Sequence, residues 1–118
     1  MFMKALKGKI HRATVTDTRV DYPGSLGVDP RLMEAAGILP YEEVLVANVN
    51  TGARVETYAI PAEPGSGKIE VLGAAAKLFT RGDIVIIMNF GYYSPQEIKD
   101  LKPKVVLVDT QNRVQRML

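Results

Sequence analysis

Apolar and polar residues are arranged in six segments that are typical of β-strands. Ile10–Val15 interleaves the two kinds and is rich in β-formers, which predicts a strand. The run Glu43–Val49 is almost continuously apolar, so we expect a strand that is buried on both sides. The other predicted strands are Arg54–Ile60, Lys68–Leu72, Ile84–Phe90 and Lys104–Val108. The chain is therefore predicted to be mainly β.

Helix signals occur in two short segments. In the first, Asp29 is suited to the N-cap, Pro30 to the first helical position and Gly37 to the C-cap. In the second, Gly73–Ala76 opens a short helix. Turn and loop residues separate the elements at Asp21–Ser25, Asn50–Gly52, Pro61–Gly67 and Arg81–Asp83.

The chain contains one internal similarity. Glu34–Val49 can be laid over Ala75–Phe90 with an offset of 41 residues, and both segments run short helix, turn, acidic residue, apolar strand and Asn. Two copies are too few for a solenoid, which needs at least three. They suit a barrel with an internal two-fold, although any two helix–turn–strand units align loosely. Many short strands with small helices favour a closed β-barrel, because closure removes exposed sheet edges.

Composition excludes several classes of protein and site. The 118 residues fit one domain that can bury a core without a disulfide or a structural metal. The absence of Cys excludes thiolate metal sites and a Cys nucleophile, and a single His makes a His-rich metal site improbable. The longest apolar run, Ile84–Met88, is too short to span a bilayer. We therefore expect no metal and no membrane.

Charge and the N-terminal residues bear on location and partners. The net charge is +2, and Lys and Arg are scattered singly, so we expect no nucleic-acid partner. Met1–Lys7 lacks the apolar stretch and cleavage site of a signal peptide. The expected location is therefore the cytoplasm.

Two weak signals lie near the N-terminus. Gly24-Ser25 follows a Pro, and on this pattern alone Ser25 is most simply a turn residue. The chain has no Gly-x-Ser-x-Gly elbow, and its only candidate base would be His11. For His11 itself, the simplest interpretation is a polar residue on a barrel strand.

Two further segments suggest a binding site. Arg54 and Tyr58 share one face of a strand, with Glu56 between them. A guanidinium can hold a carboxylate and a phenol can supply a proton, but on the pattern alone an exposed Arg and a half-buried Tyr are the simpler interpretation. Gly73-Ala74-Ala75 could expose backbone N–H groups to an anion, or could simply be a small-residue packing contact.

These pieces occur together and in register over nearly the whole chain. The motifs are Lys9–Thr16, Tyr22-x-Gly24-Ser25, Asp29, Ala35–Leu39, Asn48-Val49-x-x-Gly52-x-Arg54, Thr57-Tyr58, Gly73–Ala76 and Gly82-Asp83-x-Val85-Ile86-Ile87. Over residues 3–110 the chain closely resembles the pyruvoyl-dependent aspartate 1-decarboxylases. The resemblance implies a double-psi β-barrel with an internal pseudo-two-fold, assembled as a homotetramer with active sites between neighbouring subunits.

The resemblance implies a cofactor made from the chain itself. The Ser25 hydroxyl would attack the Gly24 carbonyl to give an ester, and β-elimination would then leave residue 25 as a pyruvoyl group. The single domain 1–118 would thus become chains 1–24 and 25–118. Glycine would help at position 24 because it tolerates a strained turn. Thr57 would support this turn and later contact substrate, and Tyr22 and His11 would line the region.

The implied reaction converts L-aspartate to β-alanine and CO₂ for pantothenate and coenzyme A synthesis. The pyruvoyl carbonyl would form a Schiff base with the substrate amine, replacing pyridoxal phosphate as the electron sink. Tyr58 would protonate the carbon. Arg54 and Lys9 would hold a carboxylate. Backbone N–H groups of Gly73, Ala74 and Ala75 would hold the substrate from the other side.

Two features complicate this assignment. Strict alternation points Thr57 away from Arg54 and Tyr58, which either a site shared by two subunits or a β-bulge would reconcile. Leu72 stands where the family usually has Asn, which bears on cleavage and on substrate alignment. The alternatives are decarboxylation of another acidic amino acid such as glutamate, and a non-catalytic barrel that serves as a binding module.

Overall fold

The computed structural model describes all 118 residues, and its main elements are nine strands and two short α-helices. The strands are β1 Met3–Thr14, β2 Asp17–Arg19, β3 Ser25–Val28, β4 Glu43–Asn48, β5 Arg54–Pro61, β6 Ile69–Leu72, β7 Ile84–Tyr93, β8 Lys104–Val108 and β9 Val114–Met117. The helices are α1 Pro30–Ala36, a 3₁₀ helix over Ala74–Leu78, and α2 Pro95–Asp100. The mainly β prediction is confirmed.

The strands form one sheet in the order β2-β6-β3-β5-β4-β7-β1-β8-β9. Most neighbours are antiparallel, but β3 runs parallel to β5, β2 to β6 and β1 to β8. The hydrogen-bonded ladder is not a closed ring. However, β1 continues after two residues into β2, which pairs with β6 at the far end of the sheet. The sheet therefore wraps around one core.

That core is apolar and continuous. It comprises 20 buried residues drawn from strands on all sides of the sheet and from the helices. The largest fully buried side chains include Ile10, Leu26, Leu32, Ile69 and Ile87. Burial of this surface favours folding by roughly 25 cal/mol for each Å² of apolar area removed from water.

The predicted helix start is confirmed in detail at α1. Asp29 is the N-cap, Pro30 is in the first turn and Gly37 closes the helix in the left-handed conformation. The buried Asp29 carboxylate accepts hydrogen bonds from the N–H groups of Arg31, Gly65 and Gly67. Asp29 therefore also fastens the loop before β6 to the start of α1.

Strand pairing confirms the internal two-fold predicted from the 41-residue offset. Val46 of β4 is paired with Ile87 of β7, the residue 41 positions further on. Because these strands are antiparallel, a two-fold between the two residues exchanges β4 with β7. The first half, β3–α1–β4, thus corresponds to the second half, β6–3₁₀ helix–β7.

The side-chain hydrogen bonds of two buried asparagines repeat the same offset. Asn48 and Asn89 each donate from Nδ2 to a carbonyl and a carboxylate in the turn before the partner strand. The acceptors are Leu78 O and Asp83 Oδ2 for Asn48, and Gly37 O and Glu42 Oε2 for Asn89. Of the two acceptor carboxylates, only that of Glu42 also pairs with a cation, since Lys7 Nζ lies 2.7 Å from Glu42 Oε2.

The observed strands also differ from the predicted ones. β1 extends seven residues before Ile10, and β7 continues to Tyr93. β2, β3, α2 and β9 were not predicted. In β4, Val46, Ala47 and Asn48 are buried consecutively, as expected for a strand covered on both sides, but Glu43 is exposed.

Candidate active site

The Gly24–Ser25 bond lies where a bend enters the sheet. Gly24 is exposed, whereas Ser25, the first residue of β3, is only 3% exposed. On one side Ser25 is paired with Leu72 of β6. On the other, Leu26 is paired with Ala59 of the parallel strand β5, so the same register places Ser25 beside Tyr58. The position of Ser25 is therefore fixed from both sides.

The requirement for glycine falls on Gly73 rather than on Gly24. Gly24 does not have a positive φ, and a Cβ added to it would meet only Leu72 O, at 3.8 Å. In this conformation the backbone at position 24 therefore does not require glycine, and the strained turn expected during cleavage stays a prediction. Gly73 has φ +84° and ψ −154°, a region that is essentially restricted to glycine. A Cβ there would lie 2.6 Å from the Gly24 Cα.

The residues after Leu72 offer fewer free N–H groups than expected. The Gly73 N–H donates to Arg19 O at 2.7 Å, so the expectation of a free donor at Gly73 is wrong. The N–H groups of Ala74 and Ala75 begin the 3₁₀ helix, where no preceding helical carbonyl can accept them. No side chain caps this helix start. Ala74 and Ala75 are the candidate backbone donors.

β5 carries three of the predicted residues on two faces. Arg54 and Tyr58 are exposed, whereas Thr57 is half-buried, which matches the predicted alternation. The pairing of β5 with β4 runs without a shift from Arg54 to Tyr58, so the bulge considered above is absent from this pair. The ring of Tyr58 stacks on Tyr41, with the centroids 6.4 Å apart.

Lys9 and His11 lie on β1, which is not a neighbour of β3 or β5 in the sheet. Lys9 of β1 is paired with Met88 of β7, and Met88 is paired with Leu45 of β4. Leu45 is in turn paired with Glu56 of β5. At about 4.8 Å for each strand, β1 and β5 are roughly 14 Å apart along the sheet. Tyr22 is 51% exposed in the bend before Gly24. Tyr22 is therefore close to Ser25 along the chain, whereas Lys9 and His11 lie on a strand that pairs with neither β3 nor β5.

His11 has an unusual environment at a bulge. The pairing of β1 with β7 shifts between Ile10 and Ala13, and Arg12 has a positive φ of 64°. Burial, together with the positive charges of Lys9 and Arg12, lowers the pKa of His11. Its Nδ1 is buried without a hydrogen-bond partner in the chain. A neutral imidazole at this position can accept or donate a hydrogen bond.

Arg19 adjoins the candidate site, although the sequence analysis did not identify it. It is paired with Leu72, the residue that also pairs with Ser25, and its carbonyl accepts the Gly73 N–H. A lone Arg in a three-residue strand gives no signal in the sequence. Only the pairing of β2 with β6 places Arg19 in line with Leu72 and Ser25 across the sheet.

The surface has a cavity of about 350 Å³. None of the predicted site residues lines it. Its lining residues are Lys4, Glu42, Glu43, Val44, Leu45, Glu56, Phe90 and Tyr92. The chain contains no group of His, Cys, Asp and Glu side chains that could hold a metal ion. No helix has both the length and the apolar character needed to cross a bilayer.

Comparison with known proteins shows similarity over the whole chain. The family model described as aspartate decarboxylase matches residues 1–115. The chain is 53% identical to the aspartate 1-decarboxylase of Acaryochloris marina, with 92% of this chain and 83% of that protein covered. Proteins of the same name from Carboxydothermus hydrogenoformans and Listeria monocytogenes are 51% and 48% identical, over 97% and 100% of this chain and 90% and 93% of their own lengths.

Proposed function

The chain belongs to the aspartate decarboxylase family, and we propose that it converts L-aspartate to β-alanine and CO₂ with a pyruvoyl group made from its own Ser25. The reaction is that of a carboxy-lyase and would supply β-alanine for pantothenate synthesis. The observation that carries the site assignment is the placement of the Gly24–Ser25 bond. This bond joins an exposed bend to a buried strand residue that the sheet holds on both sides.

Self-cleavage would act on this junction between the exposed bend and the buried strand residue. The Ser25 hydroxyl oxygen bonds to the Gly24 carbonyl carbon while the C–N bond breaks, which gives an ester and frees the Ser25 amine. β-Elimination then releases the 24-residue chain as a carboxylate, and water replaces the nitrogen of residue 25 as ammonia. Holding the hydroxyl and the carbonyl in one turn makes the attack intramolecular, so a Ser suffices as nucleophile.

The proposed group is compatible in size with the position that Ser25 occupies. A pyruvoyl group carries a ketone and a methyl group, which together are close in size to the serine that they replace. The neighbours of Ser25 in the sheet are Leu72 on one strand and Tyr58 on the other. When present, the ketone supplies an electron sink for loss of the α-carboxylate.

The chain's own side chains would bind the substrate and move a proton. Tyr58 is 39% exposed beside Ser25, so its hydroxyl would donate the proton that replaces CO₂ on carbon. The free N–H groups of Ala74 and Ala75 would hold a substrate carboxylate, as exposed donors at a helix start can. Thr57, on the inner face of β5, would support the cleavage turn and contact substrate.

The remaining residues favour a site that is shared between subunits. Arg54 is four residues before Tyr58 on an unshifted strand, which is about 13 Å, and Lys9 and His11 lie on β1, three steps from β5 in the sheet order. A site shared by two subunits would bring all of these residues around Ser25. In a homotetramer, Arg54, Lys9 and His11 of one subunit would complete the Ser25 site of a neighbour. We propose that the protein acts in the cytoplasm.

An activity assay with two substrates tests the proposal. Purified chain is incubated with L-aspartate or with L-glutamate, and released CO₂ and the amine product are measured. We expect β-alanine from aspartate and a much slower reaction of glutamate, since an added methylene shifts discrimination by about 1–3 kcal/mol. Equal rates would contradict the assignment of substrate, and no product from either would contradict the enzymatic function.

A further inference from the structure

We infer that Gly73 is a positioning residue for cleavage of the Gly24–Ser25 bond, a role distinct from contact with substrate. The inference rests on the proposed function, because it concerns how the Ser25-derived group is made. It follows from a close approach of two backbone segments. A Cβ on Gly73 would lie 2.6 Å from Gly24 Cα, 3.0 Å from Gly24 N and 3.1 Å from Tyr22 O.

Each of these distances is shorter than ordinary van der Waals contact. All three atoms belong to backbone, so no flexible side chain can swing aside to make room. A Cβ on Gly73 would therefore push Gly24 away by most of an ångström. Ser25 would not follow, because it is paired with Leu72 and lies beside Tyr58. The displacement would fall on the separation between the Ser25 hydroxyl and the Gly24 carbonyl.

The backbone at Gly73 is itself fixed. Its φ of +84° and ψ of −154° lie in a region essentially restricted to glycine, and its N–H donates to Arg19 O. Gly73 therefore forms a rigid surface with no side chain, against which the bend before Ser25 rests. Intramolecular attack requires the reacting atoms about 3–3.5 Å apart, and a misplacement of 1 Å can cost about 100-fold in rate.

Gly82 provides a matched control. It also has a positive φ, +96°, but a Cβ there would have nothing within 4 Å. Gly82→Ala therefore imposes backbone strain without the clash against Gly24. Comparing it with Gly73→Ala separates strain from displacement of the scissile bond.

The experiment follows cleavage in the full chain without substrate, by mass spectrometry over time. Circular dichroism and the melting temperature check that each variant is folded. Hydroxylamine, which cuts an ester, reports whether the first step occurs. We expect Gly73→Ala to cleave at least about 100-fold more slowly than both wild type and Gly82→Ala, and to resist hydroxylamine at Gly24.

Three results would overturn the inference. They are equal cleavage rates for Gly73→Ala and Gly82→Ala, hydroxylamine cleavage of Gly73→Ala at the wild-type level, and failure of Gly73→Ala alone to fold, which would make the glycine a requirement of the fold. A wild-type chain that stays intact would overturn the proposed function and this inference together.

Discussion

The half of the chain built from β3, α1 and β4 and the half built from β6, the 3₁₀ helix and β7 share their pairing and their buried asparagines, yet they start their helices differently. In the first half, Asp29 follows the strand and its carboxylate caps the helix. In the second half, Gly73 follows the strand and no side chain caps the helix. One helix start is closed by the protein's own carboxylate, and the other is left open.

The features that the two halves share stabilise the fold, whereas the features in which they differ lie at the proposed site. The matched bonds of Asn48 and Asn89 hold both halves in the same arrangement. The first half contributes the Gly24–Ser25 bond that we propose is cleaved, and the second half contributes Gly73, which has no side chain and lies against Gly24. The proposed site therefore lies where the two halves depart from symmetry.

Removing the reactive hydroxyl from the first half should have the largest effect. Ser25→Ala should abolish cleavage and decarboxylation, because no oxygen remains to attack Gly24. Folding should be retained, since alanine fills the same position without adding volume. Mass spectrometry and thermal melting measure the two properties. Activity in an intact Ser25→Ala chain would place the electron sink elsewhere.

Tyr58→Phe should leave cleavage unchanged and remove most of the turnover. The ring still stacks on Tyr41, but the proton donor is lost. The variant is first matured fully, and kcat for aspartate is then compared with that of wild type. An unchanged kcat would mean that water or another side chain supplies the proton.

Arg54→Lys should lower kcat/KM for aspartate by about 100-fold. An ammonium cannot reproduce the two parallel hydrogen bonds that a guanidinium makes to a carboxylate. Because Arg54 is exposed at the start of β5, thermal stability should change little. Steady-state kinetics on fully cleaved enzyme measure the effect, and unchanged kcat and KM would remove Arg54 from the site.

The substitution Asp29→Asn tests how much the carboxylate at the start of α1 stabilises the fold. Burial alone would raise the pKa of Asp29, but hydrogen bonds from the Arg31, Gly67 and Gly65 N–H groups outweigh burial and lower it. The amide still caps a helix but cannot accept from all three donors as well, so we expect a loss of about 1–3 kcal/mol in the free energy of unfolding at pH 7.

In the Asp29→Asn variant, the free energy of unfolding should also depend less on pH in the acid range than it does in wild type. Because the folded-state pKa of Asp29 is lowered, its stabilisation is complete well above the ordinary value of 3.8 and is lost as the pH falls through the folded-state pKa. Denaturant melts between pH 2 and 7 measure this. If the stability of Asp29→Asn fell with pH in parallel with that of wild type, the Asp29 carboxylate would not be the source of the loss of stability in acid.

The smallest effect is expected at Leu72, which pairs with both Ser25 and Arg19. If the Asn usual at this position helps the Gly24–Ser25 bond to react, Leu72→Asn should speed cleavage, and this is the outcome we favour. If that Asn contacts substrate, only KM for aspartate should change. A time course of cleavage followed by kinetics distinguishes the two. No change in either would make Leu72 a neutral packing substitution.

Sequence reasoning succeeded where local signals and burial agree. Asp29, Pro30 and Gly37 mark α1 by chemistry that acts within one helix. The 41-residue repeat was also visible, because Asn48 and Asn89 end similar apolar runs. α2 had a signal that was overlooked, since Ser94 and Glu97 form a capping box.

The remaining features depend on tertiary pairing. β3 is four residues long and includes a Gly, so only its two neighbours make it a strand. The exposed residues of β9 carry no alternation. In the candidate site, the motif identified Gly24 and Gly73, but which of them needs to be glycine depends on tertiary structure, since a Cβ added to Gly73 would lie 2.6 Å from Gly24 Cα.

The mass of the purified chain, measured before and after borohydride reduction, tests the central claim most directly. We predict two fragments of 24 and 94 residues, with a ketone at the start of the larger one. Reduction should add two hydrogens to that fragment alone and should abolish decarboxylation of aspartate. A single intact chain of 118 residues that decarboxylates aspartate would contradict the account.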